Sequence, residues 1–367
     1  MTQSFIPASF YAEVYILVLA IVALLQYPRL VSLSAETMAE RQVYPKSVAI
    51  LLALFVIVFV GFRPLSGVFT DMYGYASYYI YSEVADTGEP GFFFTIQLGH
   101  FLGLSLEGWF TLIAALFFLS NFMASYNFSS KHGGVIFLTI LVAFLTFAYA
   151  TNTIRSGLAH SLLLLGISFY VKEEGTRMVR MLAFACFVCA FLVHKSISLP
   201  LACFFLANYR VQVPLSFRIW VLSIFLSLAL GNQTASFFQH LGFDDRLDGY
   251  LTSTNFSGFS RTGFRWDFLL YSSMPILLGY YITFRKRITD PVYSILLSTY
   301  LLSNSFWIMV IRASFSDRFA YLSWFLYPVV IAYPLLKMDI WGERQGKNAC
   351  LVLLGHLVFT LFMTFVY

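Results

Sequence analysis

Long runs of residues without a single charge dominate this chain and limit the folds it can adopt. Five such runs are 108–130, 133–154, 291–311, 319–336 and 348–367. Each approaches or exceeds the roughly 20 helical residues that cross a hydrocarbon core, whereas membrane barrels show alternating segments of about ten residues. Only 11% of the residues are charged, against roughly 25% in soluble domains. The sequence therefore predicts an all-α, polytopic integral membrane protein.

Hydropathy predicts about twelve transmembrane helices in a single transmembrane domain over 1–367. The predicted spans are 10–27, 47–62, 106–127, 134–151, 155–171, 181–193, 197–208, 219–235, 268–284, 292–311, 320–336 and 348–367. Because their number is even, both termini are expected on the same side of the membrane.

The distribution of cations selects that side. With both termini on the periplasmic or extracellular side, fifteen of the 23 Lys and Arg residues face the cytoplasm, as the positive-inside rule requires. The eight that face outward are Arg63, Arg155, Lys195, Arg246, Arg261, Arg265, Arg312 and Arg318. The same topology predicts two large outer loops, about 63–105 and 236–267.

Residues 181–209 leave two interpretations open. They form either one long helix or a hairpin of two short helices that turns at His194 and Lys195. A single helix would export the basic cluster 285–287, so we favour the hairpin. Its arms are shorter than the bilayer, which implies a cavity open to the outside, because an unpaired Lys in hydrocarbon costs at least a few kcal/mol.

Arg155 is the most informative of the outward cations. It lies in the first turn of a predicted helix that Asn152 or Thr153 can cap. A cation is disfavoured there by the helix dipole, but free N–H groups together with a guanidinium can bind an anion. We therefore predict an anion site; the alternative is an Arg that reaches lipid headgroups.

Other candidates also lie at predicted outer helix ends. His194 could act as a base or donate to a phosphate oxygen, with Lys195 beside it; alternatively, the turn only caps a helix. Arg312 and Arg318 flank a short polar segment, where Asp317 could simply neutralise Arg318. Two further candidates, Arg63 and Asp71, lie at the start of the first large loop. An exposed ion pair is an equally plausible interpretation there.

Several guanidiniums on one side of a membrane suit a substrate with several phosphate oxygens, because Arg binds phosphate through two parallel hydrogen bonds. A lipid-linked pyrophosphate is the natural candidate. Asp244 and Asp245 are a weak indication of a divalent cation, and we predict no metal and no cofactor. The net charge of +5 is spread along the loops, which argues against nucleic acid as a partner.

Short motifs in this order resemble the EpsG-like branch of the Wzy-type O-antigen and exopolysaccharide polymerases. They are GFR at 61–63, DMY at 71–73, NTIRSGLA at 152–159, HKS at 194–196, DRLDGY at 245–250 and DRFAY at 317–321. The resemblance implies a metal-independent, inverting glycosyltransferase related to the membrane-embedded lipid-phosphosugar transferases. Such enzymes transfer a growing glycan from undecaprenyl pyrophosphate to a lipid-linked repeat unit at the outer face of the bacterial inner (plasma) membrane.

Carried over to this sequence, the resemblance implies substrate binding by cations and aromatic rings. Arg155 and Arg318 would hold the pyrophosphate and stabilise the leaving group, and His194 or Asp71 would be the base. The remaining substrate-binding candidates are Arg63, Lys195, Arg246, Tyr250, Arg312 and Tyr321. The expected partners are undecaprenyl-pyrophosphate-linked oligosaccharides, membrane lipids, and a chain-length regulator and flippase of the same pathway.

Two other functions remain open. A lipid-linked oligosaccharide flippase or other secondary transporter would fit the number of spans, although such proteins often contain repeated halves with broken helices at the midplane. A membrane O-acyltransferase that modifies the same glycans would need access to an acyl donor from the cytoplasm and a His placed for it. His132 is the one His in a predicted cytoplasmic loop, and that loop looks ordinary.

Overall fold

The computed structural model describes residues 6–81, 89–172, 175–209, 211–231, 233, 263–313 and 316–366. Every regular element within these ranges is a helix. Contacts divide the chain into two compact units: residues 1–197 with 332–367, and residues 198–331. The sequence-based prediction of a single domain stays a prediction.

Within the described residues, the first unit begins with ten α-helices. They are α1 (Tyr11–Gln26), α2 (Ala35–Glu40), α3 (Lys46–Gly61), α4 (Met72–Tyr81), α5 (Pro90–Phe101), α6 (Leu106–Phe128), α7 (Gly133–Leu141), α8 (Thr146–Thr151), α9 (Ile154–Tyr170) and α10 (Arg177–Val193). The helices that follow are α11 (Ser198–Tyr209), α12 (Val213–Leu230), α13 (Trp266–Tyr280), α14 (Pro291–Met309), α15 (Ser316–Trp324), α16 (Tyr327–Lys337) and α17 (Gln345–Val366). The boundary between the two units falls within α16.

Among the residues that the structure describes, six helical stretches are long and apolar enough to cross a membrane. They are Ala8–Leu30, Leu106–Phe128, Val213–Leu230, Pro291–Met309, Ser316–Lys337 and Gly342–Val366. Two shorter apolar helices, Lys46–Gly61 and Ile154–Tyr170, also coincide with predicted spans. The all-helical membrane class is thus confirmed, while the number of crossings and the side of the termini stay predictions.

The predicted span 134–151 is wrong as a single helix. The chain leaves helical geometry between α7 and α8, at residues 142–145. The Thr146 hydroxyl donates to the Ile140 carbonyl at 2.5 Å, and the same oxygen accepts from the Ala143 amide at 3.1 Å. The side chain that begins α8 thus contacts the end of α7 across the break, and neither Gly nor Pro lies at residues 142–145.

The chain also breaks at His194, which excludes one continuous helix over 181–209. His194 is extended, with φ −156° and ψ 117°, and a 3₁₀ turn at Lys195–Ile197 follows it. The next helix, α11, belongs to the second unit. The predicted interruption at His194 and Lys195 is therefore confirmed.

Several helices begin at a residue whose side chain caps the helix. Ser34, Ser105 and Thr176 each accept a hydrogen bond from the backbone N–H three residues later. Such caps satisfy amide groups that have no partner within the helix. In the interior of the first unit, α9 packs against α6 and α10, and α5 packs against α10. The start of α9, the start of α5 and the end of α10 thereby come together.

Candidate functional site

A buried carboxylate joins two of the predicted site residues. Glu89, immediately before α5, accepts a hydrogen bond from Arg155 Nη1 at 2.9 Å through Oε2 and one from His194 Nδ1 at 2.5 Å through Oε1. The three side chains are 5%, 14% and 15% exposed for Glu89, Arg155 and His194. We call Tyr75, Glu89, Arg155 and His194 the Glu89 cluster.

Arg155 occupies the first turn of α9, as the sequence predicts. Thr153 is at the N-cap position but makes no capping hydrogen bond, because its hydroxyl donates to the Ala148 carbonyl instead. The first amide groups of α9 therefore have no side-chain acceptor from the cap, and their dipole adds to the positive charge of the guanidinium. This end of α9 favours an anion, and Glu89 supplies one.

Two aromatic rings flank the Arg155 guanidinium. Its central carbon lies 5.8 Å from the ring centre of Tyr75 and 5.8 Å from that of Phe92. A cation at this distance from a ring is attracted by about 0.5–2 kcal/mol, depending on desolvation. The rings restrict the guanidinium and leave its N–H groups for acceptors.

The electrostatics of Glu89 reflect its partners. Burial alone would raise the pKa of this carboxyl group, but the hydrogen bond and charge of His194, the charge of Arg155 and the Lys195 amide together bring the pKa below its ordinary value. The Lys195 N–H lies 3.4 Å from Oε1. Glu89 is therefore ionised at neutral pH.

A glycine permits the approach of α5 to α10. A Cβ atom at Gly91 would lie 2.7 Å from the carbonyl carbon of Leu192 and 2.8 Å from the Val193 nitrogen. Real Cβ atoms do not approach backbone atoms so closely. The absence of a side chain at Gly91 thus lets Glu89 reach the end of α10, where His194 follows.

Stacked rings hold α4, α5 and α6 together behind the cluster. Tyr79 stacks on His100 and Trp109, with ring centres 4.4 and 4.9 Å apart. The Tyr79 hydroxyl donates to the Leu104 carbonyl at 2.6 Å. These contacts fix the helix that carries Tyr75 against the helix that follows Glu89.

Arg63 lies in a different environment from Arg155. It is 2% exposed, and its guanidinium donates to the carbonyl oxygens of Val60 at 2.8 Å and Thr151 at 3.3 Å. Burial lowers its pKa to about 10. These contacts tie the end of α3 to the end of α8, and a role for Arg63 in substrate binding stays a prediction.

The other predicted residues of the first unit are near this end of the bundle but outside the Glu89 cluster. Asp71 is half-buried just before α4, and its carbonyl accepts from the Tyr75 amide at 3.1 Å. The Lys195 side chain is exposed in the 3₁₀ turn. Neither side chain is placed by the contacts that hold Arg155 and His194.

The second unit carries three more candidates. Arg312 is half-buried, 5.5 Å from the ring centre of Phe264. Arg318 is half-buried in the first turn of α15, where the Tyr321 hydroxyl donates to Asp317 at 3.4 Å. Four further residues named from the sequence lie outside the described residues: Asp244, Asp245, Arg246 and Tyr250.

Glu89 itself is absent from the sequence-based candidates. Its partners Arg155 and His194 are 66 and 105 residues away along the chain, so no local pattern links the three. One signal was available: a carboxylate directly before Pro90, at the start of an apolar segment on the side where unpaired cations were predicted.

A second polar region lies at the other end of α6. A cavity of about 460 Å³ opens between α2, the turn 129–132 and residues 336–339. His132, 2% exposed, contacts the Met38 carbonyl through Nε2 at 2.7 Å. A carbonyl oxygen only accepts, so Nε2 must carry the proton. Lys131 donates to the Ala39 carbonyl at 2.6 Å, and we call this region the His132 cavity.

Together these features define a helical integral membrane protein with an ion-paired cluster where three helix ends meet. The model of the EpsG family matches residues 46–367, and the chain belongs to this family. The resemblance found in the sequence is thereby confirmed, and with it the general class of exopolysaccharide and O-antigen polymerase-type membrane proteins. No curated protein and no solved structure matches the chain significantly.

Proposed function

We propose that this protein is a polysaccharide polymerase of the bacterial plasma membrane. It would transfer a growing glycan from undecaprenyl pyrophosphate to a sugar hydroxyl of a lipid-linked repeat unit at the outer face. The observation that carries this proposal is the Glu89 cluster, which holds a guanidinium at a helix N-terminus and an imidazole around one carboxylate. Family membership supports the same reaction class.

The reaction is an inverting displacement at the anomeric carbon. The acceptor hydroxyl oxygen forms the new bond to this carbon, while the bond from the carbon to the pyrophosphate oxygen breaks and leaves its electron pair on the leaving group. Arg155, aided by the α9 amides, would stabilise that charge. His194 would take the hydroxyl proton as general base.

The remaining assignments follow the family resemblance. Arg312, Arg318 and Tyr321 are proposed to bind substrate in the second unit, and Lys195 is a further proposed ligand of the pyrophosphate. Arg63 and Asp71 are secondary candidates, because the contacts of Arg63 are carbonyl oxygens and Asp71 lies outside the Glu89 cluster.

Deletion of the gene in its host tests the function. Loss of a polymerase should leave single repeat units on the lipid carrier and at the cell surface. Accumulation of lipid-linked units on the cytoplasmic leaflet alone would contradict the proposal and indicate a flippase. Glycan lacking only its acyl groups would indicate an O-acyltransferase.

A pair of conservative variants tests the second unit. Arg318→Lys should reduce polymerisation about 100-fold, because an ammonium cannot reproduce the two parallel hydrogen bonds of a guanidinium. Arg287→Lys changes an exposed cation and should leave polymerisation unchanged. The measurement is the length distribution of glycan made in the deletion strain. Equal tolerance of both changes would remove Arg318 from the substrate-binding residues.

A further inference from the structure

The two oxygens of the Glu89 carboxylate contact two groups with different roles in the proposed reaction. One is Arg155, the candidate ligand of the leaving pyrophosphate, and the other is His194, the candidate base. Oε2 accepts from Arg155, and Oε1 accepts from His194 and, at 3.4 Å, from the Lys195 amide. With 5% exposure, this carboxylate would be costly to bury without such partners. Its position is therefore tied to Arg155 and His194 together.

The contact also decides which ring nitrogen of His194 carries the proton. An ionised carboxylate only accepts hydrogen bonds, so Nδ1 must be the donor. In the neutral imidazole, the lone pair is then on Nε2. None of the described residues is bonded to Nε2, so this nitrogen is available to accept a proton from substrate.

We propose that Glu89 is a positioning residue that fixes His194 as the Nδ1–H tautomer and orients Arg155 in the same contact. The inference rests on the proposed polymerase function. As the acceptor hydroxyl attacks the anomeric carbon, its proton moves to Nε2 and the imidazole becomes a cation. The Glu89 carboxylate stabilises this cation, while Arg155 stabilises the pyrophosphate that leaves with the electron pair of the broken bond.

The charged groups around His194 set the expected pH behaviour. Glu89 faces it from the start of α5, Arg155 and His160 face it from α9, and Lys195 is adjacent in the chain; Tyr75 lies beyond Arg155. Glu89 is the carboxylate among them. Without its charge, the described groups that face the protonated imidazole are cations or neutral, so the imidazolium formed in the proposed reaction loses its anionic partner.

Glu89→Gln in the full-length protein, reconstituted into lipid vesicles with a lipid-linked repeat unit, tests this inference. A glutamine amide can donate to Nδ1 and stabilise the wrong tautomer, so the initial rate should fall at least about 100-fold. The acidic limb of the pH–rate profile should also move to lower pH. Glu107→Gln, which changes an exposed carboxylate at the start of α6, should keep the wild-type rate and profile.

An unchanged acidic limb in Glu89→Gln, whether or not the rate falls, would overturn the inference, since a merely structural role predicts no movement of the limb. If this variant does not fold, Glu89→Asp replaces it. A shortened carboxylate should keep the limb in place but lower the rate about 10-fold, and a wild-type rate would overturn the inference.

Failure of the proposed polymerase function would give results that differ from failure of the proposed role of Glu89. A wild-type protein that makes no polymer from lipid-linked units, or a fully active His194→Gln variant, would contradict the polymerase proposal or its base. An inactive His194→Gln variant beside a wild-type profile in Glu89→Gln would contradict only the role of Glu89.

Discussion

The Glu89 cluster and the His132 cavity lie at opposite ends of α6, whose 23 residues extend roughly 34 Å. Each region holds a histidine that a distant segment fixes through one ring nitrogen. The partner of His194 is a carboxylate shared with Arg155, whereas the partner of His132 is the neutral carbonyl of Met38. A charged side chain therefore holds His194, whereas a neutral backbone group holds His132.

A charged partner and a neutral partner predict different roles for the two histidines. Burial lowers the pKa of His132, the Met38 carbonyl opposes this shift, and Lys337 and Lys131 lower the pKa further. His132 is therefore neutral at pH 7 and serves to join α2 to the turn after α6. The ion pairs around His194 can instead respond to a charged substrate or a transferred proton. A charged partner, more than burial, distinguishes the candidate reaction site from a structural contact.

The largest effect is expected from Arg155→Lys. The ammonium cannot maintain both the contact with Glu89 and a two-pronged contact with phosphate, so polymerisation should fall about 100-fold or more. The matched control is Arg180→Lys on the exposed side of α10, which should behave as wild type. Glycan length in the deletion strain measures both, and equal activity of the two variants would contradict an anion-binding role at α9.

Exchange of each histidine for glutamine tests the comparison directly. His194→Gln should reduce the rate about 100-fold by removing the base, with a small change in melting temperature. His132→Gln should lower the free energy of unfolding by about 1–3 kcal/mol, because it disturbs a buried hydrogen bond. Its rate per folded molecule should stay near wild type. Thermal melting and initial rates in vesicles measure these effects, and the reverse pattern would exchange the two roles.

A smaller effect is expected from Gly91→Ala. The added methyl group would meet the backbone at Leu192 and Val193 and move the start of α5, so Glu89 would lose its alignment with His194. We expect about a 10-fold lower rate and a lower melting temperature. Gly74→Ala in α4 meets no atom within 4 Å and should be neutral or slightly stabilising. Similar rates for both variants would show that close contact at Gly91 is not required.

The smallest expected effect is the pH dependence of the melting temperature. The pKa of Glu89 is below its ordinary value of 4.5 in the folded protein, so its stabilising contribution is complete above that pH and is lost as the pH falls through the folded value. Wild type should melt about 2–4 °C above Glu89→Gln at neutral pH, and this gap should close in acid. A gap that is constant between pH 7 and pH 3 would mean that the charge of Glu89 does not stabilise the fold.

Apolar patterning was sufficient to place most of the helices. Most predicted spans each coincide with one helix, but 134–151 and 320–336 are each divided between two helices. The extended residue at His194 is anticipated, because a His-Lys pair interrupts an apolar run. The interruption between α7 and α8 is not predicted, because residues 142–145 are apolar and include neither Gly nor Pro.

The candidate site could be predicted only in part. Arg155 and His194 stand out as polar residues at the ends of apolar helices, so each was found separately. Their connection through Glu89 depends on the packing of α5 against α10 at Gly91. Such a contact between distant segments leaves no periodic signal in one sequence.

The first unit also constrains how the protein can be assembled. It combines residues 1–197 with 332–367, and the Gly346 amide at the start of α17 donates to the Leu33 carbonyl at 2.9 Å. A ribosome makes residues 198–331 between these two segments. The early helices are therefore synthesised well before α17. During this interval, lipid, an insertase or a chaperone would have to cover the surface that α17 later occupies.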